Sequence, residues 1–303
     1  MASHTKETRF RGVAAITLDS GELAATFLPG VGMTGVSLRV DGREHLALPG
    51  GVAQLRAGGT GGLPLLAPWA NRLAARRYRA SGVSVDLRGL PLATDGRGLP
   101  IHGFLAGAPG WRVDRADVHR GRPRLRASID VDDPAFPFPH RIDLEVTTAG
   151  TELAIATTVT ATGDRPVPIA FGWHPYLRLT GVPRRQWLLR LPALRHLALD
   201  DAGIPTGTET DEPADVAPIG RRTFDDLYAL DRDRSLALQT VDGRSIELRN
   251  DVGYPYAQVW VPAGRPYAAL EPMAAPTNAL VAGSAPTIEP GESYAARFAL
   301  RIN

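Results

Sequence analysis

Apolar residues recur at every second position in short runs that glycine, proline and aspartate cut off. Residues 152–161 show the rule, with Leu153, Ile155, Thr157 and Val159 alternating with their neighbours. A period of two belongs to a strand that buries one face. The same reading gives strands at 13–18 and 23–28, parted by Asp19-Ser20-Gly21-Glu22. It gives another at 36–40, which runs into Asp41-Gly42, a tight-hairpin signal. Downstream, 141–148 meets 152–161 across Ala149-Gly150, and 236–241 meets 246–249 across Asp242-Gly243. Runs at 256–261, 268–270 and 295–302 close the chain. Helical periodicity is scarce, and only 66–79 has room for a turn of helix. Turn-separated strands at this spacing predict an all-β sandwich or barrel with few short helices. No internal repeat or linker interrupts the pattern, so the expectation is a single large domain over 1–303.

Composition changes that picture little. Hydrophobic residues make up 44% of the 303, enough for a sizeable core, and 32 glycines with 26 prolines suit many short elements. The formal net charge is +2. Lys6 is the only lysine, and the arginines are scattered rather than gathered into a block that could track a phosphate backbone. No nucleic-acid partner is expected. The absence of cysteine excludes disulfides, thiolate metal ligands and a cysteine nucleophile. The first eight residues, Met1 to Thr8, hold no apolar leader, and no run of 18 apolar residues occurs. The expectation is a cytoplasmic protein with no membrane partner.

Four polar islands stand in apolar or turn-rich surroundings: Asn71-Arg72, Ile101-His102-Gly103, His174-Pro175-Tyr176 and Glu271-Pro272. In β folds such positions gather at one rim, where sites are built. Glu271 ends the run Tyr267-Ala268-Ala269-Leu270. A carboxylate that closes an apolar strand is partly desolvated, which raises its pKa and suits it to act as a base. His174 titrates near neutrality and exchanges a proton at little cost. Arg72 and His102 can donate to hydroxyl or ring oxygens, and so can Asn71. Asp225 can accept from them. Trp260, Trp173, Trp69 and Phe104 offer flat apolar faces on which a ligand ring can rest. Each of these residues also fits a structural role: a paired carboxylate, a core histidine, a turn acid, a core aromatic. His4, His45, His119, His140 and His196 lie in polar or loop contexts and read as surface residues. The stretch Gly58-Gly59-Thr60-Gly61-Gly62 lacks the Lys-Ser/Thr pair and the helix of a phosphate loop, and reads as a flexible loop. There is no G-x-S-x-G elbow and no H-E-x-x-H motif.

Taken in order, the islands resemble the aldose 1-epimerase (galactose mutarotase) family over nearly the whole chain. The matching pieces are Pro68-Trp69-Ala70-Asn71-Arg72, Ile101-His102-Gly103-Phe104 and Gly172-Trp173-His174-Pro175-Tyr176. Phe224-Asp225-Asp226 and Leu270-Glu271-Pro272-Met273-Ala274-Ala275-Pro276 complete the set. The resemblance implies a β-supersandwich with an open carbohydrate cleft, no cofactor, no metal, and a small-molecule sugar as the partner of a monomer or homodimer. It implies that Glu271 is the base and His174 the acid. Arg72, His102 and Asp225 bind substrate, and Asn71 belongs to the same motif. Two departures, Tyr176-Leu177-Arg178-Leu179 and Arg76-Arg77-Tyr78, bear on the choice of sugar rather than on proton transfer. Two alternatives share the fold. One is a hexose-6-phosphate 1-epimerase, for which Arg76, Arg77, Arg178 and Arg184 are the candidate phosphate ligands. The other is a carbohydrate-binding protein without catalysis.

Overall fold

The turns carry the first level of order. Asp41 and Gly42 take φ values of 51° and 73°, the left-handed pair that a two-residue hairpin turn requires. They join Thr34–Val40 to Arg43–Glu44, with Val40 opposite Arg43. The predicted runs at 23–28, 152–161 and 256–261 are strands with those bounds; the run at 236–241 is instead the strand Ser235–Gln239, and the others extend by a few residues. The computed structural model describes residues 3–303; Met1 and Ala2, part of the N-terminal segment read above, lie outside it. The chain is 55% strand and 4% helix, the all-β sandwich that the pattern predicts.

Two large antiparallel sheets dominate. A nine-stranded sheet runs from Asp215–Pro218 at one edge to Arg112–His119 at the other, with Ser293–Ile302 and Glu152–Ala161 near its centre. An eight-stranded sheet holds Phe224–Leu230, Tyr256–Val261 and Ala268–Met273 in succession, flanked by the short strands Gly172–Trp173, Tyr176–Leu177 and Leu65–Leu66. A five-stranded N-terminal sheet completes the larger elements. The strand Phe136–Ala149 alternates buried and half-buried positions along all fourteen residues, which is why Phe136 and Phe138 enter the core together. Trp173, Tyr254 and Phe298 meet there at ring separations of 5.9 Å, and the Trp173 indole donates to Thr157 Oγ1 at 3.2 Å. Each such side chain contributes about 1.5–3 kcal/mol by leaving water, so this cluster ties the eight-stranded sheet firmly to the nine-stranded one.

Several expectations fail for identifiable reasons. No helix forms within 66–79. That segment is an extended crossing, pinned by bridges from Ala67 to Gly103, Trp69 to Ala170 and Arg72 to Ile101. The longest helix is instead α1, Gly51–Arg56, which buries Val52 and Leu55 and is too short to show a helical period; α2 is Ala279–Ala282. His45 and His140 are buried rather than at the surface, His140 with Nδ1 against the Phe138 carbonyl at 2.8 Å. His196 is half-buried between Glu212 and Asp226. The strands Arg112–His119 and Pro205–Glu212 escape a hydrophobicity reading because nearly all their side chains are exposed. Among the described residues, no helix is long and apolar enough to cross a membrane.

Candidate active site

Sheet register assembles the site. Glu271 lies opposite Gln258, and Trp260 lies opposite both Ala269 and Asp225. Gln258 and Trp260 are two residues apart on one strand, so they share a face. Glu271, Gln258, Trp260 and Asp225 therefore project to one side of the eight-stranded sheet. Tyr176, opposite Ala269, joins them from the next strand. Trp173 and His174 are adjacent and point to opposite sides, the first to the core and the second to the site. Glu271 does not end its strand as expected. Ala268–Met273 continues through Pro272, every residue of it is buried, and Glu271 is 2% exposed.

Glu271, His174, Tyr176, Trp260 and Asp225, with Asn71, Arg72, Ile101, His102 and Thr60, line a cavity of about 210 Å3. On its wall, His174 Nε2 stands 3.2 Å from Glu271 Oε1. Burial, and secondarily the Asp225 carboxylate, push the Glu271 carboxyl well above its usual range. Burial, and then the neighbouring His102, hold His174 well below the usual histidine value. The pair therefore favours its neutral form and holds one mobile proton between its two members. Nδ1 of His174 and Oε2 of Glu271 have no protein partner. The imidazole is oriented by aromatic packing: it stacks on Tyr176 at 4.4 Å and 15°, and Trp260 meets it edge-on at 5.5 Å.

The second half of the site is a charged lattice. Arg72 reaches Asp95 through Nε at 3.1 Å and Asp225 through Nη2 at 3.2 Å. Asn71, at φ 57°, accepts from the Arg72 amide and from Nη1 through its Oδ1. Asn71 thus positions the guanidinium as well as lining the cavity. Gln258 donates to the other Asp225 oxygen at 2.8 Å. His102 accepts the Asn71 N–H on Nδ1 at 3.2 Å, which leaves Nε2 as the protonated nitrogen of a neutral ring. Its burial and the Arg72 charge hold its pKa down at about 3, so it remains a neutral donor. The Arg72 loop is braced from behind by Asn278, which accepts from the Ala74 N–H and donates its own N–H to the Arg72 carbonyl.

Asp225 rather than Asp226 faces the cavity. Asp226 belongs to the other side of the strand, 3.4 Å from His196. Trp69 and Trp173 are core residues with no access to the cavity, and Phe104 lines an adjoining space instead. Arg76, Arg77 and Arg184 are engaged elsewhere, with Gly98, with Asp86, and with Gly220 and Arg222. Arg178 does not reach the cavity either. Sequence reasoning assigned no role to Thr60, Tyr176, Gln258 or Asp95. Thr60 Oγ1 lies 2.6 Å from the Tyr176 hydroxyl, and its only sequence signal is a polar residue alone among four glycines. Among the described residues, no group of three or more His, Asp or Glu is placed to hold a metal ion.

Comparison with known proteins shows the family and the fold. The family model described as aldose 1-epimerase matches residues 14–301. A galactose mutarotase-like protein from Clostridium acetobutylicum superposes with a TM-score of 0.84 at 18% identity, over 100% of this chain and 99% of that one. An aldose epimerase homologue from C. elegans does so at 0.77 and 17% identity, over 100% and 99%. A galactose 1-epimerase from Lactobacillus acidophilus NCFM gives 0.76 at 14%, again over 100% and 99%. At these identities the likeness is one of fold. No curated protein sequence gives a significant match.

Proposed function

The chain belongs to the aldose 1-epimerase family, and from that premise we propose that it interconverts the α and β anomers of a free aldose, with Glu271 as base and His174 as acid. The observation that carries the reading is the 3.2 Å approach of the two groups on the wall of a pocket lined by hydrogen-bonding side chains. Anomerisation moves protons on the two oxygens bonded to C1, which are immediate neighbours. The acid and the base must therefore be neighbours too.

Ring opening starts once the shared proton has passed from Glu271 to His174 across their 3.2 Å contact: the Glu271 carboxylate takes the proton of the anomeric hydroxyl while the His174 imidazolium gives its proton to the ring oxygen. The C1–O5 bond breaks, its electron pair staying on O5, and the O1 lone pair completes the carbonyl. The pair is left as neutral carboxylic acid and neutral imidazole, the form that burial favours. Rotation about C1–C2 turns the other carbonyl face to the O5 hydroxyl. His174 then takes the hydroxyl proton as O5 attacks C1, and Glu271 returns its proton to O1. One proton circulates within the pair, and none need be exchanged with solvent. Each positioned group contributes about 10²–10⁴ in rate. Arg72, Asp225 and the neutral His102 supply complementary donors and acceptors for the hydroxyls, and Trp260 supplies an apolar face.

The other two readings are less well supported. A 6-phosphate needs an unpaired cation, whereas Arg72 is the only arginine of the pocket and already serves two carboxylates. A binding protein without catalysis does not need a buried acid–base pair, whose burial costs stability. The test is polarimetry on freshly dissolved α-galactose and α-glucose, alongside equilibrium binding of the same sugars. Catalytic relaxation of the rotation supports the epimerase, while binding without relaxation overturns it.

A further inference from the structure

A second cavity, about 430 Å3, opens beside the catalytic pocket. The two share Thr60, Ile101 and His102 as a common wall. We propose that this cavity is a second sugar subsite, so that the preferred substrate is a reducing disaccharide or longer chain. Its terminal aldose ring occupies the Glu271–His174 pocket and its next, neutral glycosyl unit occupies the adjoining space. The inference rests on the epimerase reading and extends it to the class of substrate.

Size is the first argument. Sites for small molecules span about 300–1,000 Å3. The catalytic pocket at about 210 Å3 falls short of that range, and the two cavities together lie within it. Chemistry is the second. Not one residue lining the second cavity carries a formal charge at neutral pH, His102 included, since its pKa is near 3. Gln54, Thr60 and Thr94 offer neutral donors and acceptors, and Leu92, Ile101 and Phe104 offer apolar surface. A pyranose ring presents that same mixture, hydroxyls at its rim and C–H groups on its faces. A phosphate would find no cation here. The end of α1 that reaches the cavity, through Gln54 and Ala57, is moreover its carboxyl end, whose partial negative charge disfavours an anion. Continuity is the third. Thr60 belongs to both cavities and is tied to Tyr176, the ring stacked on His174. A substituent leaving the aldose ring on the His102–Thr60 side passes directly into the second space.

The experiment compares kcat/KM for mutarotation of galactose and glucose with that of lactose, maltose and melibiose. It uses wild type and the variants Ala57→Trp and Ala93→Trp, with circular dichroism as the folding control. Both alanines are exposed and belong only to the second cavity, so the indoles narrow it without touching the acid–base pair. We expect at least one disaccharide to exceed both monosaccharides by about tenfold or more, and that margin to vanish in the variants while monosaccharide turnover stays within about twofold. Monosaccharides favoured over all three disaccharides, or a disaccharide margin that survives both tryptophans, would overturn the subsite and leave the epimerase reading standing. Failure to accelerate any of the five sugars would overturn both.

Discussion

His174 Nε2 and Glu271 Oε1 lie 3.2 Å apart, on residues separated by nearly a hundred positions in sequence. The short strand Gly172–Trp173, which His174 directly follows, delivers one, and the interior of Ala268–Met273 delivers the other. Burial displaces both from their ordinary protonation behaviour in opposite senses, so the pair acts as a single one-proton unit.

Removing either member breaks that unit. Glu271→Gln keeps the shape and removes the basicity, and His174→Asn removes the acid. Each should lower kcat by at least about 10², the lower end of the range for general acid–base catalysis, with KM for the sugar little changed. A Glu271→Gln enzyme that relaxes optical rotation as fast as wild type would show that the base lies elsewhere.

The two adjacent aspartates should behave differently. Asp225 holds Arg72 and accepts from Gln258 on the cavity side, whereas Asp226 sits with His196 on the other. Hydrogen bonds to charged groups are worth about 1.5–3 kcal/mol, so Asp225→Ala should raise KM by about tenfold or more. It also removes a negative charge that holds Glu271 up, so the pH–rate profile should move toward acid. Asp226→Ala should leave both nearly unchanged. Equal effects of the two substitutions on KM would contradict the assignment of faces.

Stability should carry the signature of the buried pair. The folded pKa of Glu271 lies above the unfolded value of about 4.3. Its contribution to stability is therefore complete below that value and is lost as pH rises through the folded one. Glu271→Gln has no such loss, so its Tm relative to wild type should climb as pH rises above about 4.3. On the acid side the signs reverse. His102, at about 3, and His45, His140 and His174 are all held below 6.5 by burial. The stability they contribute as neutral rings is present above 6.5 and is lost as pH falls. Thermal melts of both proteins across this range decide the matter, and a Tm difference that stays flat with pH refutes the raised carboxyl.

Phosphorylated sugars should be poor substrates. No arginine apart from Arg72 lines the catalytic pocket, and no charged residue lines its neighbour. At fixed ionic strength kcat/KM for glucose should exceed that for glucose 6-phosphate by about tenfold or more, a transition-state preference of about 1.4 kcal/mol. A tenfold preference for the phosphate ester would count against the free-sugar reading.

Local pattern alone determined the strand class, the hairpin at Asp41-Gly42 and the polar islands at Asn71-Arg72, His102, His174 and Glu271. These rest on nearest-neighbour physics: a period of two, a left-handed turn pair, and polar groups stranded in apolar runs. Pairing between distant strands decided the rest. Glu271 reads as a strand end because Pro272 follows it, yet the strand continues, since Ala257 and Tyr256 of the neighbouring strand pair with Pro272 and Met273 beyond it. Asp225 and Asp226 are indistinguishable in sequence, and only the register against Trp260 turns one to the cavity and the other to His196. Trp69 and Trp173 look as ready to carry a sugar as Trp260, but alternation across the sheet sends Trp173 into the core, and the Trp69–Ala170 bridge holds Trp69 there. Thr60 acquires a role only because a glycine-rich turn after α1 carries it to Tyr176, 116 residues away. Which residues meet across a sheet depends on long-range register, and no short-range pattern encodes it.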